Sequence, residues 1–284
     1  MTHPLVVGVD GSDGSLPALD WAVDEAARRE VPLRVIYASL WERYEGSAPA
    51  FGPDRPEDAG LADQVVAAAR HRAELRAPDV AVDAVVVPDD AVSALLEEAH
   101  QAAALVTGAS GRGALAGLLL GSVGLSLAGR AHCPVIVVRG GQRTVRGECG
   151  RVLVGVGDAE ECAAAVRFAL YEAGLRHCEL EAARAWRCSR HLSGDDSTHR
   201  NEERALAALD EALDGPAREH PAIQVRRTTA EGPAHKVLVE ASATADLLVV
   251  GAVRHRSRVG FQLGRVSHAV LHHAACPVAV VPHE

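Results

Sequence analysis

A glycine-rich stretch, "GASGRGALAGLLLGSVG", runs from Gly108 to Gly124 and follows the short apolar segment "AAALVT". It contains one arginine, two serines and no lysine. Glycine lets the backbone approach a ligand closely, and the free amides of a helix N-terminus attract anions. This composition suits phosphate binding, but it is also typical of a flexible connection between a strand and a helix.

Two common phosphate loops do not fit the sequence. The P-loop requires a lysine, and the only lysine of the chain, Lys236, lies far from this stretch. A dinucleotide fingerprint should follow the first strand, where the chain instead reads "GVDGSDGS". That segment is faintly similar to the S-G-G-x-D-S loop of ATP pyrophosphatases, but it lacks the paired glycines. What remains is the spacing Gly108-x2-Gly111-x9-Gly121-Ser122.

This spacing has a chemical interpretation at its second part. Gly121, Ser122 and Val123 are predicted to open a helix whose unpaired N–H groups and positive dipole end favour phosphate. Ser122 adds a hydroxyl, and Arg112 adds a mobile charge for the β- or γ-phosphate. The alternative is a glycine-rich connection in which Ser122 acts only as an N-cap.

An internal repeat defines the organisation of the chain. "LVVGVDGS" recurs as "VLVGVGDA", "ALVTGASG" as "LLVVGAVR", and "AHCPVIVV" as "AACPVAVV". The offsets are 143 to 147 residues, which is too long for a solenoid and indicates two copies of one domain. We predict domains at 1–139 and 151–284, joined by a polar, glycine-rich linker at 140–150.

Each copy alternates strands and helices. Short apolar runs such as "PLVVGV" and "PVIVV" are typical of strands buried on both faces. In "SLPALDWAVDEAARRE" the apolar residues recur with helical spacing, and Ser15 is a candidate N-cap. The predicted fold class is therefore α/β, with two tandem parallel sheets in Rossmann-like sandwich domains. Ligands of such sheets bind beyond the carboxyl ends of the strands, and the glycine-rich stretch follows the fourth strand at that edge.

The segments "VVGVDGS", "LRVIYAS" and "HCPVIVV", together with the spacing G-x2-G-x9-G-S, resemble the universal stress protein family. The resemblance extends over essentially the whole chain as a tandem pair. It implies five-stranded sheets of the adenine nucleotide alpha-hydrolase-like type, and the spaced glycine–serine motif marks members of the family that bind ATP.

The resemblance also implies roles for individual residues of the first copy. Asp10 would contact ribose or a water bound to Mg²⁺, although it is also a turn-forming residue before Gly11. Ala38 would meet adenine through its backbone. Gly124 departs from the serine or threonine that is common in the family, which puts one phosphate contact in doubt. The cofactor-binding residues predicted for ATP are Gly8, Val9, Asp10, Ala38, Gly108, Ser110, Gly111, Arg112, Gly113, Gly121, Ser122 and Val123.

The second copy departs further from this pattern. Arg254 replaces the second glycine, Arg265 replaces the serine, and Gly157 stands where Asp10 stands in the first copy. Either this copy has lost ATP, or it binds ATP through Arg254, Arg256 and Arg265. We favour loss, because backbone fit usually matters more than added charge at such loops.

Composition restricts the remaining possibilities. The formal net charge of −9 argues against a nucleic-acid binder. No signal peptide, no membrane span and no C-x-x-C pair is evident, so we expect a cytoplasmic protein with free thiols. His268 and His272 lie four residues apart, but without a third ligand we expect no metal site.

Nothing in the sequence is typical of a catalytic triad or an acid–base pair, so we expect no enzyme activity. The leading hypothesis is an ATP-binding regulatory protein with an unidentified protein partner. A slow ATPase or nucleotidyl transferase, and a nucleotide-free interaction module, remain as alternatives. The resemblance implies that the fifth strands pair the two domains and that tandem chains associate as a homodimer.

Overall fold

The computed structural model describes residues 3–40, 57–109, 111, 121–187, 195–252, 254–257 and 260–283. Contacts within the chain divide it into two compact units, Met1–Val138 and Arg139–Glu284. The predicted linker, 140–150, lies within the second of these units.

The first unit is a five-stranded parallel sheet with the strand order β3-β2-β1-β4-β5. The strand order reverses between β1 and β4, where ligands of such sheets commonly bind. Its strands are β1 (Leu5–Gly8), β2 (Leu33–Ala38), β3 (Val82–Val87), β4 (Ala104–Gly108) and β5 (Val135–Val138). Its helices are α1 (Leu16–Arg29), α2 (Glu57–Arg76), α3 (Ala91–Glu98) and α4 (Ser122–Arg130), with a 3₁₀ turn at Ala99–Gln101.

The second unit repeats this order as β8-β7-β6-β9-β12, again with parallel pairing, so the predicted tandem α/β fold is confirmed. Its main strands are β6 (Arg151–Gly155), β7 (Glu179–Trp186), β8 (Val225–Glu231), β9 (Leu247–Ala252) and β12 (Val278–Pro282). Its helices are α5 (Gln142–Val145), α6 (Ala159–Leu175), α7 (Asp195–Glu219), α8 (Ala234–Ala241) and α9 (Arg265–His273), with a 3₁₀ turn at Ser242–Thr244.

A short antiparallel hairpin in the second unit was not predicted. It consists of β10 (Arg254–Ser257) and β11 (Gly260–Leu263), with Arg254 opposite Leu263 and Ser257 opposite Gly260. These residues occupy the part of the chain that corresponds to the glycine-rich stretch of the first unit. The second unit therefore has a strand before this region and a helix after it, as the first unit has.

The cores follow the predicted pattern. Residues Leu5–Val7 of β1 and all of β5 are buried, because helices cover both faces of each sheet. In α1, Leu19, Ala22 and Val23 are fully buried along one face. Among the described residues, no helix combines the length and the apolar character that crossing a bilayer requires.

Both units contain the same buried ion pair on their first long helix. Glu25 of α1 is fully buried and accepts a hydrogen bond of 2.7 Å from Arg29 Nε. Glu172 of α6, 147 residues later, is also fully buried and pairs with Arg176. A buried carboxylate requires such a partner, so the duplication retained the pair as well as the strand order.

Two helix starts show how local sequence signals are used. Ser15 occupies the predicted N-cap position of α1, but its hydroxyl donates to Ser12 O at 2.8 Å and makes no capping bond to the helix. Helix α7 begins at Asp195, within the acidic stretch "GDDSTHRNEER", although such a polar composition is also typical of a solvated loop. Helix propensity and the helix that follows therefore outweigh the polar composition there.

The segment before β6 is tied to the second unit by Asp246. This carboxylate is buried and accepts hydrogen bonds from the backbone N–H groups of Cys149 and Gly150, both at 2.7 Å, and of Arg151 at 3.1 Å. Three charge-assisted bonds offset the cost of burying the charge. The residues just before the second sheet are thus held by its fourth strand.

Candidate functional site

The predicted site lies at the carboxyl edge of the first sheet. Gly8, Ala38 and Gly108 are the last residues of β1, β2 and β4, three adjacent strands. Val9 continues from β1, is buried, and donates its N–H to Ile36 O at 2.9 Å. The fold therefore brings four residues that are separated by up to a hundred positions to one edge, where strand ends of such sheets bind ligands.

Gly8 has a packing role at this edge. A Cβ added to Gly8 would lie 2.8 Å from Cδ1 of Leu95, a buried residue of α3. Real Cβ atoms essentially never come this close to another heavy atom, so any larger residue would push the helix or its leucine away. The absence of a side chain at Gly8 sets how closely α3 approaches β1.

Asp10 combines a turn with a position beside the glycine-rich stretch. Its Oδ1 accepts hydrogen bonds from Ser12 N at 3.0 Å and from Ser12 Oγ at 2.6 Å. Gly11, between them, has a φ of +74°, which favours glycine. A Cβ added to Gly111 would lie 2.5 Å from Asp10 Oδ2. The carboxylate therefore lies against the backbone of the second motif glycine, and a side chain there would have to displace it.

Gly121, Ser122 and Val123 form the start of α4, as predicted. Gly121 is the N-cap residue, and its N–H donates to Ala109 O at 2.7 Å. Ser122 is the first helical residue and is exposed, so the alternative in which Ser122 itself is the N-cap does not match this helix. Because glycine has no side chain to cap the helix, amides of the first turn are available to an anion.

Three predicted residues, Ser110, Arg112 and Gly113, lie outside the described residues. Their proposed contacts with ribose and phosphate therefore stay predictions. The described part of the site consists of the strand ends, the Asp10 turn, Gly111 and the start of α4.

The second unit contains a cavity of about 290 Å³ at the equivalent edge. Many residues that line it stand 143 or 147 positions after residues predicted to bind ATP in the first unit. For example, Gly155, Gly157 and Ala185 correspond to Gly8, Asp10 and Ala38. The lining residues at these offsets are Gly155, Val156, Gly157, Ala185, Gly251, Gly264, Arg265 and Val266.

The cavity differs from the first site at its charged and polar positions. Among the residues that the structure describes, a Cβ added to Gly157 would meet no atom within 4 Å, and no carboxylate stands at this position. Asp158 forms an ion pair of 3.5 Å with Arg184, whose guanidinium also donates to the backbone carbonyl of Gly157. The exposed Arg265 is the first residue of α9. The second unit therefore keeps the carboxyl edge of the sheet but presents different hydrogen-bond donors there.

Cys162 lies in the wall of the same cavity. It is buried, and this burial raises the pKa of its thiol because the thiolate is disfavoured away from water. It therefore contributes an apolar surface with a weak S–H group and not a nucleophile.

The two histidines singled out in the sequence lie together on α9. The ring centroids of His268 and His272 are 4.6 Å apart. Burial, with smaller contributions from His268, His273 and Arg139, lowers the pKa of His272. Within the ranges that the structure describes, no three His, Cys, Asp or Glu side chains are grouped so that they could hold a metal ion.

Sequence reasoning missed the cavity of the second unit and the β10–β11 hairpin. The cavity could have been found by applying the 143- and 147-residue offsets to every predicted site residue. The hairpin has no such signal, because its strands are only four residues long and replace a glycine-rich stretch.

A parallel five-stranded sheet whose strand order reverses beside the first strand defines a Rossmann-like domain, and this chain has two of them. The model of the universal stress protein family matches residues 1–139 and 149–282. The chain belongs to the universal stress protein family.

Individual relatives agree with this assignment. A universal stress protein of Mycobacterium tuberculosis is 34% identical over 299 residues, covering 98% of this chain and 96% of the relative. The crystal structure of a universal stress protein from Archaeoglobus fulgidus has the same fold, with a TM-score of 0.65 at 17% identity and 100% coverage of both chains. A universal stress protein solved in complex with cAMP is 23% identical and covers 47% of this chain and 97% of its own, with a TM-score of 0.39.

Proposed function

We propose that the protein is an ATP-binding regulator of the stress response, and that the first domain holds the nucleotide at the carboxyl edge of its sheet. One observation carries the proposal: α4 begins at a glycine that donates its N–H to Ala109 O, directly after β4. The amides of its first turn and its positive dipole end favour a phosphate group. The chain's family supports the class of function.

The residues of this edge suit the parts of a nucleotide. Ser122 and the amides of α4 would bind phosphate, and the backbone of Ala38 would meet adenine. Asp10, whose Oδ1 accepts two hydrogen bonds from Ser12, would contact ribose or a water bound to Mg²⁺. Bound ATP would supply binding energy that favours one conformation of the protein over another.

We propose binding without significant turnover. Asp10 is the only carboxylate among the predicted site residues, and its Oδ1 already accepts two hydrogen bonds from Ser12. A general base must reach the proton of an attacking water, and the predicted site residues include no second carboxylate and no histidine for that role. The regulatory role therefore rests on occupancy of the site and not on hydrolysis.

The test combines nucleotide identification with calorimetry. Purified protein is denatured and the released nucleotide identified, and ATP is then titrated into nucleotide-free protein. Ser122→Ala should weaken ATP binding about tenfold, because a hydrogen bond to a charged group is worth roughly 1.5–3 kcal/mol. Ser126→Ala, a serine one turn later on the same helix, is the control and should leave the affinity unchanged.

Either of two results would contradict the proposal. If no adenine nucleotide is released and ATP binding is not measurable, the first domain is a nucleotide-free interaction module. If ADP accumulates steadily at a rate that Ser122→Ala abolishes, the protein is an ATPase.

We also propose that tandem chains form homodimers in the cytoplasm and that ATP changes their affinity for a protein partner. Light scattering of the eluting protein, with and without ATP, measures the mass of the assembly. A monomeric mass in both conditions would exclude the homodimer.

A further inference from the structure

The walls of the second-domain cavity are mostly apolar. They are formed by the ends of three strands and by helix α8, and five side chains present only hydrocarbon. These are Val156, Ala183, Ala185, Leu238 and Val250. Ligand pockets of proteins range from roughly 300 to 1,000 Å³, so a cavity of about 290 Å³ suits a small molecule with an apolar body.

One end of the cavity is positively charged. Gly264 is the N-cap of α9 and has no side chain, so amides of the first turn face this end without a capping group. Arg265 adds a guanidinium, which forms no ion pair with any other residue that the structure describes. The helix dipole and this guanidinium both favour an anionic group.

The amount of positive charge is limited. Glu161 also borders the cavity, and its side chain is exposed beside the same opening. Arg265 and Glu161 together carry no net charge, so the helix terminus supplies the excess, equivalent to roughly half an elementary charge. Such an end suits a ligand with a single anionic group and disfavours the several charges of a triphosphate.

The backbone of this domain also lacks the elements that would hold a triphosphate. Where the first domain has its glycine-rich stretch, β10 and β11 pair with each other, so amides that face the partner strand are already bonded. The hydroxyl of Ser267 donates to Gly251 O at 3.1 Å. Gly157 provides no carboxylate for ribose.

We propose that this cavity binds a small organic anion, an apolar body that carries one carboxylate or one phosphate monoester next to Arg265 and the start of α9. The apolar walls hold the body, and the helix terminus and guanidinium hold the anionic group. This site is separate from the ATP site proposed for the first domain and does not depend on it. The two domains then respond to two different small molecules.

The test uses the full-length protein and three probes of similar size, titrated by calorimetry. Benzoate and phenyl phosphate carry the anionic group, and benzyl alcohol is the neutral match. At least one anionic probe should bind about tenfold or more tightly than benzyl alcohol, because a charge-assisted hydrogen bond contributes roughly that factor. The preferred anion identifies which of the two anionic groups the site selects.

Two variants locate the binding. Arg265→Ala should remove most of the preference for the anionic probe, whereas Arg204→Ala, an exposed arginine of α7 that does not line the cavity, should preserve it. Ala234→Phe should fill the cavity from α8 and abolish binding of all three probes. Far-UV circular dichroism and Tm confirm that each variant is folded.

The proposal is overturned if the anionic probes bind no more tightly than benzyl alcohol, or if Ala234→Phe leaves their binding intact. It is also overturned if the protein binds two ATP molecules and Ala234→Phe reduces the number to one. Loss of ATP binding in Ser122→Ala with unchanged probe binding supports two independent sites. Failure of ATP binding in the unaltered protein removes the first-domain proposal alone.

Discussion

The carboxyl edges of the two domains share their scaffold and differ in their ligand groups. In both, a glycine ends the first strand against a leucine of the third main helix, Gly8 against Leu95 and Gly155 against Leu238. An added Cβ would lie 2.8 and 2.7 Å from the respective Cδ1 atoms. Asp10, however, corresponds to Gly157. The duplication kept the contacts that hold a helix to the sheet and changed those that face a ligand.

Two of the changed positions are physically linked. In the first domain, Asp10 Oδ2 lies where a Cβ on Gly111 would come within 2.5 Å. In the second domain the counterpart of Gly111 is Arg254, and the counterpart of Asp10 is Gly157, beside which a Cβ would find open space. A side chain at the second glycine position would therefore have to displace an aspartate at the end of the first strand, whereas a glycine there presents nothing to displace.

Transferring the arginine to the first domain should have the largest effect. Gly111→Arg should weaken ATP binding at least about a hundredfold, or ~2.7 kcal/mol, because the side chain enters the site beside Asp10. Overpacking should also lower the free energy of unfolding by about 1–3 kcal/mol. Calorimetry measures the first effect and urea unfolding the second. Gly60→Arg places the same residue in open space on α2 and is the control.

The double variant Asp10→Gly/Gly111→Arg reconstructs the second-domain pair. It should recover most of the lost stability but none of the ATP affinity. A double variant no more stable than Gly111→Arg alone would show that the two positions are not coupled.

The shared scaffold should respond equally in both domains. Gly8→Ala and Gly155→Ala should each lower the free energy of unfolding by about 1–3 kcal/mol, because the new methyl group displaces Leu95 or Leu238. Urea unfolding measures the total, and hydrogen exchange of strand amides assigns it to a domain. Gly157→Ala adds the same methyl group in open space and should cost less than about 0.5 kcal/mol. Unequal losses at Gly8 and Gly155 would contradict a common packing role.

The smallest effect concerns acid sensitivity, which should be confined to the second domain. Burial first, then His268, His273 and Arg139, lowers the pKa of His272 in the folded state. The unfolded state therefore binds more protons near and below pH ~6.5, and stability should fall as the pH decreases through that range. His272→Gln should reduce the loss of Tm between pH 7.5 and 5.5 by about 1–2 °C.

His199→Gln alters an exposed histidine of α7 and serves as the control for that measurement, since its side chain is 78% exposed. If both variants change the pH dependence of Tm equally, His272 does not contribute more than an exposed histidine to the acid sensitivity.

The strands and helices of both domains could be predicted because the sequence patterns that indicate them are local or occur twice. The buried run Leu5–Val7 indicates a strand by itself, and the offsets of 143 to 147 residues assign the second sheet from the first. The start of α4 at Gly121–Ser122 was likewise predictable, since glycine and serine before an apolar helical pattern mark a helix N-terminus.

The remaining features depend on contacts between distant residues. Asp10 and Gly111 are a hundred positions apart, and nothing in either local sequence indicates that they touch. Ser15 stands at the N-cap position as its residue type predicts, but its hydroxyl donates to Ser12 O in the preceding turn, a contact that the local sequence does not indicate. The cavity is likewise lined by residues of six different helices and strands, so no single segment of the sequence indicates it.

The contact between Asp10 and Gly111 has a historical consequence. If the two domains descend from one ancestor of the first-domain type, the contact between Asp10 and Gly111 ties two substitutions together. A side chain at the glycine position must displace the carboxylate while the aspartate is present, and has no carboxylate to displace once a glycine replaces it. The expected order of change therefore places loss of the aspartate before, or together with, gain of the arginine.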